Sequence, residues 1–254
     1  RDRGLGWGVG RRIQVAGGAT AAIGMMTMPF VGRAGVVRRH LSTVVVGAMF
    51  TTTVAGTTAR WGRRAIVAAV AVSSATAAIE AVGVRTGRPF GRYRYTRTLR
   101  PQLLGVPIVV PLAWTAMAMP ARETAHAALG EHSTPVRRVV TGAAALTAWD
   151  LFLDPQMVGE GFWQWQRPGR YRGIPLANFA GWFATTLVAM AILEILVPPD
   201  APAADLVAQY ATMGVMETAA FATFLHDARV AATGGAAMLP VAAVAVYRLV
   251  GQRS

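Results

Sequence analysis

Residues 148–182 read AWDLFLDPQMVGEGFWQWQRPGRYRGIPLANFAGW, and this stretch decides the fold. Two aspartates, Asp150 and Asp154, stand at the end of a long apolar segment, and Glu160 and a Trp-x-Trp pair follow them. The chain then returns through Gly-Ile-Pro to a second apolar run. Acidic and aromatic side chains therefore meet at a membrane boundary. They are suited to acid chemistry on an apolar, electron-rich substrate, or alternatively to anchoring a loop at the lipid headgroups.

The composition outside this stretch also indicates a membrane protein. Hydrophobic residues make up 54% of the 254 residues and charged residues 15%, and the mean hydropathy of +0.40 is too high for a soluble domain of this length. About 20 apolar residues cross a hydrocarbon core of roughly 30 Å. We predict an all-α, polytopic transmembrane bundle of about seven or eight spans, forming a single domain over residues 1–254. The predicted spans lie near 13–31, 41–58, 65–84, 103–119, 136–153, 178–197, 206–225 and 233–250.

The net charge of +13 comes from arginines that lie between the apolar runs. Arginines in that position face anionic headgroups, so we expect the lipid bilayer, and no nucleic acid, as their partner. The opening GLGWGVG lacks the G-x-G-x-x-G spacing of a nucleotide site and has no strand before it. The chain has no cysteine, and its four histidines lack helical ligand spacing, so we predict no metal site. Residues 120–138, which include Glu123 and His126, are expected to form a solvated connector.

The two aspartates at the end of the fifth predicted span are four residues apart, hence on one helix face. Pro155 predicts that the helix ends at Asp154. Two acids so placed oppose each other's ionisation, so at least one is expected to keep a proton near neutral pH, as a general acid requires. The alternative is that both pair with loop arginines such as Arg167, Arg170 or Arg172.

Further acids lie near or inside other predicted spans. Glu80, near the end of the third span, either is solvated at the interface or faces a polar cavity. Glu217 falls in the middle of the seventh span, where an acid is a functional candidate. Pro107 and Pro111 are expected to kink or break the fourth span and to shape a pocket wall.

Aromatic side chains concentrate in the loops beside these acids. Tryptophan and tyrosine there fit the aromatic belt of a membrane protein, and their ring faces could instead stabilise a cationic intermediate. Asn178, at the start of the sixth span, could position water or an acid, or simply begin the helix. The aromatic candidates are Tyr93, Tyr95, Trp163, Trp165, Tyr171 and Trp182.

Several motifs over roughly residues 65–225 together resemble the integral-membrane carotenoid hydratases of the CruF, or bisanhydrobacterioruberin hydratase, type. The block from D-x-x-x-D-P to N-F-x-G-W is the most specific part. The motifs are G-x-P-F-G-x-Y-x-Y at 87–95, G-V-P at 105–107 with Trp114 after it, D-x-x-x-D-P at 150–155, W-x-W at 163–165 and Y-x-G-[IV]-P-L-x-N-F-x-G-W at 171–182.

The resemblance implies the addition of water across the terminal carbon–carbon double bond of an acyclic carotenoid, giving a tertiary alcohol. We expect Asp150 or Asp154 to protonate the alkene and Asn178 or Glu160 to hold the attacking water, with Glu80 as a further catalytic candidate. The aromatic residues and Glu217 are expected to contact the substrate or the cation.

No cofactor is expected for such a hydro-lyase. The predicted partners are an acyclic carotenoid of the lycopene or bacterioruberin kind and the lipid bilayer, with other carotenoid-biosynthesis enzymes as potential partners, and the predicted location is the cell (plasma) membrane. Two other functions fit the sequence. One is a membrane prenyltransferase of the carotenoid elongase kind, which would need a second acidic cluster. The other is a non-catalytic carotenoid-binding subunit.

Overall fold

The computed structural model describes residues 3–32 and 35–251, and these residues form a bundle of eight α-helices. Every predicted span overlaps one of the helices, so the all-α prediction is confirmed. The helices are α1 Arg3–Thr27, α2 Val36–Trp61, α3 Arg63–Thr86, α4 Val109–Leu129, α5 Pro135–Gly159, α6 Leu176–Leu196, α7 Ala204–Thr223 and α8 Ala228–Gly251.

Four of the described helices, α2, α3, α6 and α8, are long and apolar enough to cross a membrane. The outside of the bundle is also apolar, since large side chains such as Val70, Ile195 and Val250 are exposed on it. A bundle with apolar side chains on both its inside and its outside is stable when lipid covers the outside. These features support a membrane protein.

Helix α4 lies at the centre of the bundle and packs against α2, α3, α5, α7 and α8. Its residues from Trp114 to Ala125 are all buried. Close packing elsewhere depends on glycine: a Cβ built on Gly234 of α8 would lie 2.5 Å from the ring of Phe152 on α5. Small residues that let helices approach this closely are the usual packing device of helices in lipid.

The expectation that α5 ends at Asp154 is wrong, because the helix continues through Pro155 to Gly159. Proline has no N–H, so the carbonyl of Leu151, four residues earlier, loses its partner within the helix. The hydroxyl of Tyr171 donates a hydrogen bond to that carbonyl at 2.9 Å. A side chain from the following loop therefore satisfies the backbone and allows one more turn of helix.

The expectation of a solvated connector over residues 120–138 is also wrong, because α4 continues through Pro120 to Leu129. The carbonyl of Ala116, which Pro120 leaves without its N–H donor, accepts from Thr53 Oγ1 at 3.0 Å and from Gln209 Nε2 at 3.2 Å. Residues 120–125 and Ala127 are thereby buried in the bundle, whereas Glu131 and His132 are exposed.

The prediction that two prolines break the fourth span is wrong as well. Pro107 precedes α4, and Pro111 is the third residue of that helix. The first N–H groups of a helix have no partner within it, so proline costs nothing there.

The connections at one end of the bundle form two small antiparallel sheets. The first joins β1, Tyr93–Tyr95, to β4, Trp163–Trp165, and pairs Tyr93 with Trp165 and Tyr95 with Trp163. The second joins β2, Gln102–Leu103, to β3, Val106–Pro107. Because alternate residues of a strand share a face, the first sheet presents both tyrosines and both tryptophans of these strands to the end of the bundle.

Candidate active site

A cavity lies where α2 to α6 meet the sheet formed by β1 and β4. Its polar lining comprises the two acids and the amide Glu80, Asp154 and Asn178, with the hydroxyls of Ser42 and Thr43. Nine of its described lining residues are aromatic: Phe90, Tyr93, Tyr95, Trp114, Trp149, Phe162, Trp163, Trp165 and Trp182.

The two aspartates of α5 form one buried group with Asn178 of α6. Asp150 and Asp154 are 0% and 2% exposed, respectively. The amide nitrogen of Asn178 donates to Asp150 Oδ2 at 3.0 Å and also to Asp154. Trp163 Nε1 donates to Asp154 Oδ1 at 3.1 Å. Two buried carboxyl groups that accept from one amide oppose each other's ionisation, so the site favours a proton on one of them.

The two aspartates differ in what they face. Asp154 lines the cavity, whereas Asp150 lies behind it and reaches it through Asp154 and Asn178. No arginine among the described residues pairs with either one, and Arg172 instead pairs with Asp227. The alternative that both aspartates pair with loop arginines is therefore wrong. Asp154 is positioned to reach a molecule in the cavity.

Glu80 of α3 lines the same cavity and is 3% exposed. Its carboxylate accepts hydrogen bonds from the hydroxyls of Tyr93 and Tyr95, the second at 2.9 Å, and from Trp114 Nε1 at 3.2 Å. Burial and the charge of Glu80 raise the pKa of both tyrosines above the ordinary value, so their hydroxyls remain donors. Of the two sequence interpretations of Glu80, the cavity-facing one is confirmed.

The aromatic rings of the wall pack in pairs. Trp114 and Trp182 stack with their ring centroids 4.0 Å apart, and Tyr93 stacks on Trp165 at 5.8 Å. Tyr95 meets Trp163 edge to face at 5.5 Å. Aromatic faces carry negative potential, so a positive charge developing inside the cavity would be attracted to them.

Apart from Asp150, three of the sequence candidates lie outside this cavity. Tyr171 supports the backbone of α5 from outside, as described above. Glu160 is buried in an ion pair with Arg38 of α2, with Nη2 2.6 Å from Oε1. Glu217 lines a second cavity. The structure therefore brings together Glu80, Tyr93, Tyr95, Asp150, Asp154, Trp163, Trp165, Asn178 and Trp182, and it separates Tyr171, Glu160 and Glu217 from them.

The sequence motifs all lie beyond α2 and do not indicate its contribution to the cavity. Ser42, Val46 and Met49 of this helix line the cavity. They recur at helical spacing along one face, but an apolar face of this kind also fits ordinary packing, so the sequence alone did not distinguish the two. Trp149 was missed too, although it is the neighbour of Asp150 in the motif.

Comparisons with known proteins show the family of this chain. A curated relative, the bisanhydrobacterioruberin hydratase of Haloarcula japonica, is 39% identical over 135 residues, which are 52% of this chain and 45% of the relative. The chain thus spans less than half the length of that relative. No solved structure matches the chain. The profile of the family described as carotenoid biosynthesis protein matches residues 37–250. Because this match covers most of the sequence, the chain belongs to the carotenoid biosynthesis protein family.

Proposed function

We propose that the protein is a carotenoid hydratase that adds water across the terminal double bond of an acyclic carotenoid, without a cofactor. The observation that carries this proposal is the buried pair Asp150–Asp154, bonded by Asn178 and opening into an aromatic cavity. The family and the hydratase name of the relative support it. We further propose that the protein acts in the cell membrane, where the bilayer supplies the apolar substrate.

The reaction begins at Asp154. Its carboxyl proton passes to the less substituted carbon of the terminal alkene, the π bond breaks, and a tertiary carbocation forms at the neighbouring carbon. The Asp154 carboxylate that this transfer leaves accepts hydrogen bonds from Trp163 and Asn178, which stabilise its charge. The ring faces of Trp163, Trp165 and Trp182 stabilise the cation.

Water completes the addition from the Glu80 side of the cavity. The water oxygen forms a bond to the cationic carbon, and one of its protons passes to the Glu80 carboxylate, so the product is a tertiary alcohol. Tyr93 and Tyr95 keep that carboxylate oriented by the hydrogen bonds they donate. Proton transfer from Glu80 back to Asp154 restores both acids, and the net change is the gain of one water by the carotenoid. Glu80 thus replaces Glu160 as the proposed base.

The test is conversion in membranes that accumulate an acyclic carotenoid. The protein is expressed there with water labelled by heavy oxygen, and the pigment is followed by chromatography and mass spectrometry. The proposal expects each reacted end group to gain one labelled water, and Asp154→Asn to bind pigment without changing its mass. A pigment that copurifies with the wild type and never changes mass would support the carrier function instead. A magnesium-dependent gain of a prenyl group would support the prenyltransferase.

A further inference from the structure

A second cavity adjoins the first, between α1, α2, α5 and α7. Six of its described lining residues are methionine: Met25, Met28, Met49, Met157, Met213 and Met216. We call this cavity the methionine chamber. Methionine side chains are flexible, apolar and polarisable, so they adapt to a long hydrocarbon and make favourable contacts with π systems.

The methionine chamber and the site share a wall. Ser42, Val46, Met49, Trp149, Leu153 and Met157 line both. A ligand whose end group lies against Asp154 therefore needs only to pass these side chains to continue into the chamber. Leu153 and Trp149 belong to the same turns of α5 as the two aspartates, so the acid group and the shared wall are held by one helix.

The charged side chain at the edge of the chamber is neutralised. Arg38 lines the chamber, but its guanidinium donates to Glu160 and to the carbonyls of Met28 and Val31. It therefore offers little free charge to a ligand. Glu217 also faces the chamber, is 8% exposed, and forms no hydrogen bond with a described side chain or backbone group. Its carboxyl group would lie directly against whatever fills the space.

We propose that the methionine chamber holds the conjugated chain of the carotenoid whose end group reacts at Asp154, with Glu217 beside that chain. This inference rests on the proposed function and adds the location of the conjugated chain of the substrate. A chain bound there positions the terminal alkene by contacts far from the reacting carbons. The turnover of long substrates therefore depends on the chamber, whereas the turnover of short substrates does not.

The test compares two substrates that share the same terminal alkene, lycopene and the short terpene farnesol. Ala220→Phe introduces a ring into the chamber, and Ala236→Phe, at an exposed position of α8 that lines neither cavity, introduces the same ring as a matched control. The expected result is that Ala220→Phe lowers the ratio of lycopene to farnesol turnover by at least about tenfold, because overpacking of a binding space is costly. The control is expected to leave the ratio unchanged. An unchanged ratio in Ala220→Phe overturns the inference.

If Ala220→Phe converts neither substrate, the absorption band of bound lycopene provides a second test of where the chain lies. The excited state of a polyene is more polarisable than its ground state, so a carboxyl group beside it shifts its absorption band. Glu217→Gln is expected to shift the band of lycopene that copurifies with the protein, whereas Glu131→Gln, at an exposed position after α4, is not. An unmoved band in Glu217→Gln places the chain elsewhere. If the wild type converts neither substrate, that result contradicts the proposed hydratase function. It does not contradict the proposed location of the chain, which the absorption band tests.

Discussion

At the scale of single residues, the two aspartates of α5 have the same chemistry and different positions. Asp154 faces the cavity and accepts from Trp163, whereas Asp150 is fully buried behind it. Oδ1 of Asp150 meets no amide, hydroxyl or guanidinium donor among the described residues. A buried carboxyl oxygen without such a donor is costly unless the group carries or shares a proton. The two aspartates therefore hold a proton together, and Asp154 is the one that lines the cavity.

This difference predicts different effects of the two asparagine variants. Asp154→Asn removes the group that touches the alkene and is expected to abolish hydration. Asp150→Asn leaves that group in place but removes its partner, and it is expected to lower the rate by about 10²-fold to 10⁴-fold, the range of general acid catalysis. Hydrated carotenoid formed per mole of pigment-bound protein measures both.

The control for the aspartates is Asp200→Asn, because Asp200 is exposed in the connection between α6 and α7. It is expected to behave as the wild type. Equal activity of Asp154→Asn and Asp200→Asn would remove the pair from the mechanism.

Glu80 and its tyrosines permit a second prediction. Glu80→Gln keeps the size of the side chain and removes its charge, so the water that attacks the cation loses its base, and the rate is expected to fall by about 10²-fold or more. Tyr95→Phe removes one of three donors to that carboxylate and is expected to cost less. Single-turnover kinetics with bound carotenoid separates these losses from weaker binding. A larger loss in Tyr95→Phe than in Glu80→Gln would contradict the assignment of the base.

At the scale of helices, the position of Asp154 depends on the turn of α5 that crosses Pro155. That turn persists because the hydroxyl of Tyr171 bonds the carbonyl of Leu151 at 2.9 Å. Burial raises the pKa of Tyr171 to about 12, so the hydroxyl keeps its proton and donates throughout the physiological range. Tyr171 is therefore a positioning residue: it acts on Asp154 through the backbone.

Tyr171→Phe tests this role, because it removes the hydroxyl and keeps the ring. A carbonyl left without a donor costs about 1–3 kcal/mol, so the variant is expected to unfold at lower temperature in detergent and to turn over more slowly with little change in KM. Tyr247→Phe is the matched control, since Tyr247 is 79% exposed. If both variants match the wild type, the hydroxyl has no part in holding the turn.

Another long-range contact involves Glu160, which was a catalytic candidate in the sequence analysis. The structure pairs it with Arg38 across 122 residues of chain, and both side chains are at most 5% exposed. Breaking one side of a buried ion pair typically costs about 3–5 kcal/mol, whereas replacing both sides with apolar residues is often neutral. Glu160→Gln is therefore expected to unfold early, and Arg38→Met combined with Glu160→Met is expected to recover much of the loss.

Thermal unfolding and turnover of these variants separate two roles of Glu160. If Glu160 only supports the structure, the double variant hydrates carotenoid at a rate comparable to that of the wild type. A stable double variant without activity would indicate that Glu160 takes part in the reaction.

Local sequence patterns account for part of the site. The four-residue spacing places Asp150 and Asp154 on one helix face, and the alternation of W-x-W places both rings on one side of β4. The ends of α4 and α5 were not predictable in this way, because Pro120 and Pro155 stop a helix unless a distant hydroxyl or amide replaces the missing donor. Thr53, Gln209 and Tyr171 supply those donors. The meeting of Glu80 with Tyr93 and Tyr95 likewise depends on how β1 folds over α3.

At the scale of the whole molecule, the two ends of the bundle have different charged groups. The end with the cavity carries the acid pair. The opposite end carries Arg122, Glu123, Arg138 and Glu194, which lie in mostly buried ion pairs on α4, α5 and α6. Arg122 Nη2 also donates to the carbonyl of Val197 at 3.2 Å, and Glu123 accepts from the backbone N–H of Ala203. These bonds tie the connection between α6 and α7 to the central helix.

This arrangement predicts that stability and chemistry can be changed separately. Asn178 and Glu194 are at opposite ends of α6, roughly 24 Å apart at 1.5 Å per residue, so Glu194 is too far away to touch a substrate in the cavity. Glu194→Gln leaves Arg138 without the carboxylate it bonds through Nε at 3.0 Å and through Nη2. An uncompensated buried charge is expected to destabilise the fold by about 3–5 kcal/mol. Unfolding temperature in detergent should therefore fall, while hydration per mole of folded protein stays at the wild-type level.

Asp154→Asn is expected to show the reverse, with turnover lost and the unfolding temperature kept or raised, because removing one of two adjacent buried acids relieves their repulsion. A parallel loss of stability and turnover in both variants would mean that the acid pair also supports the fold, and that its two carboxyl groups are no evidence of chemistry.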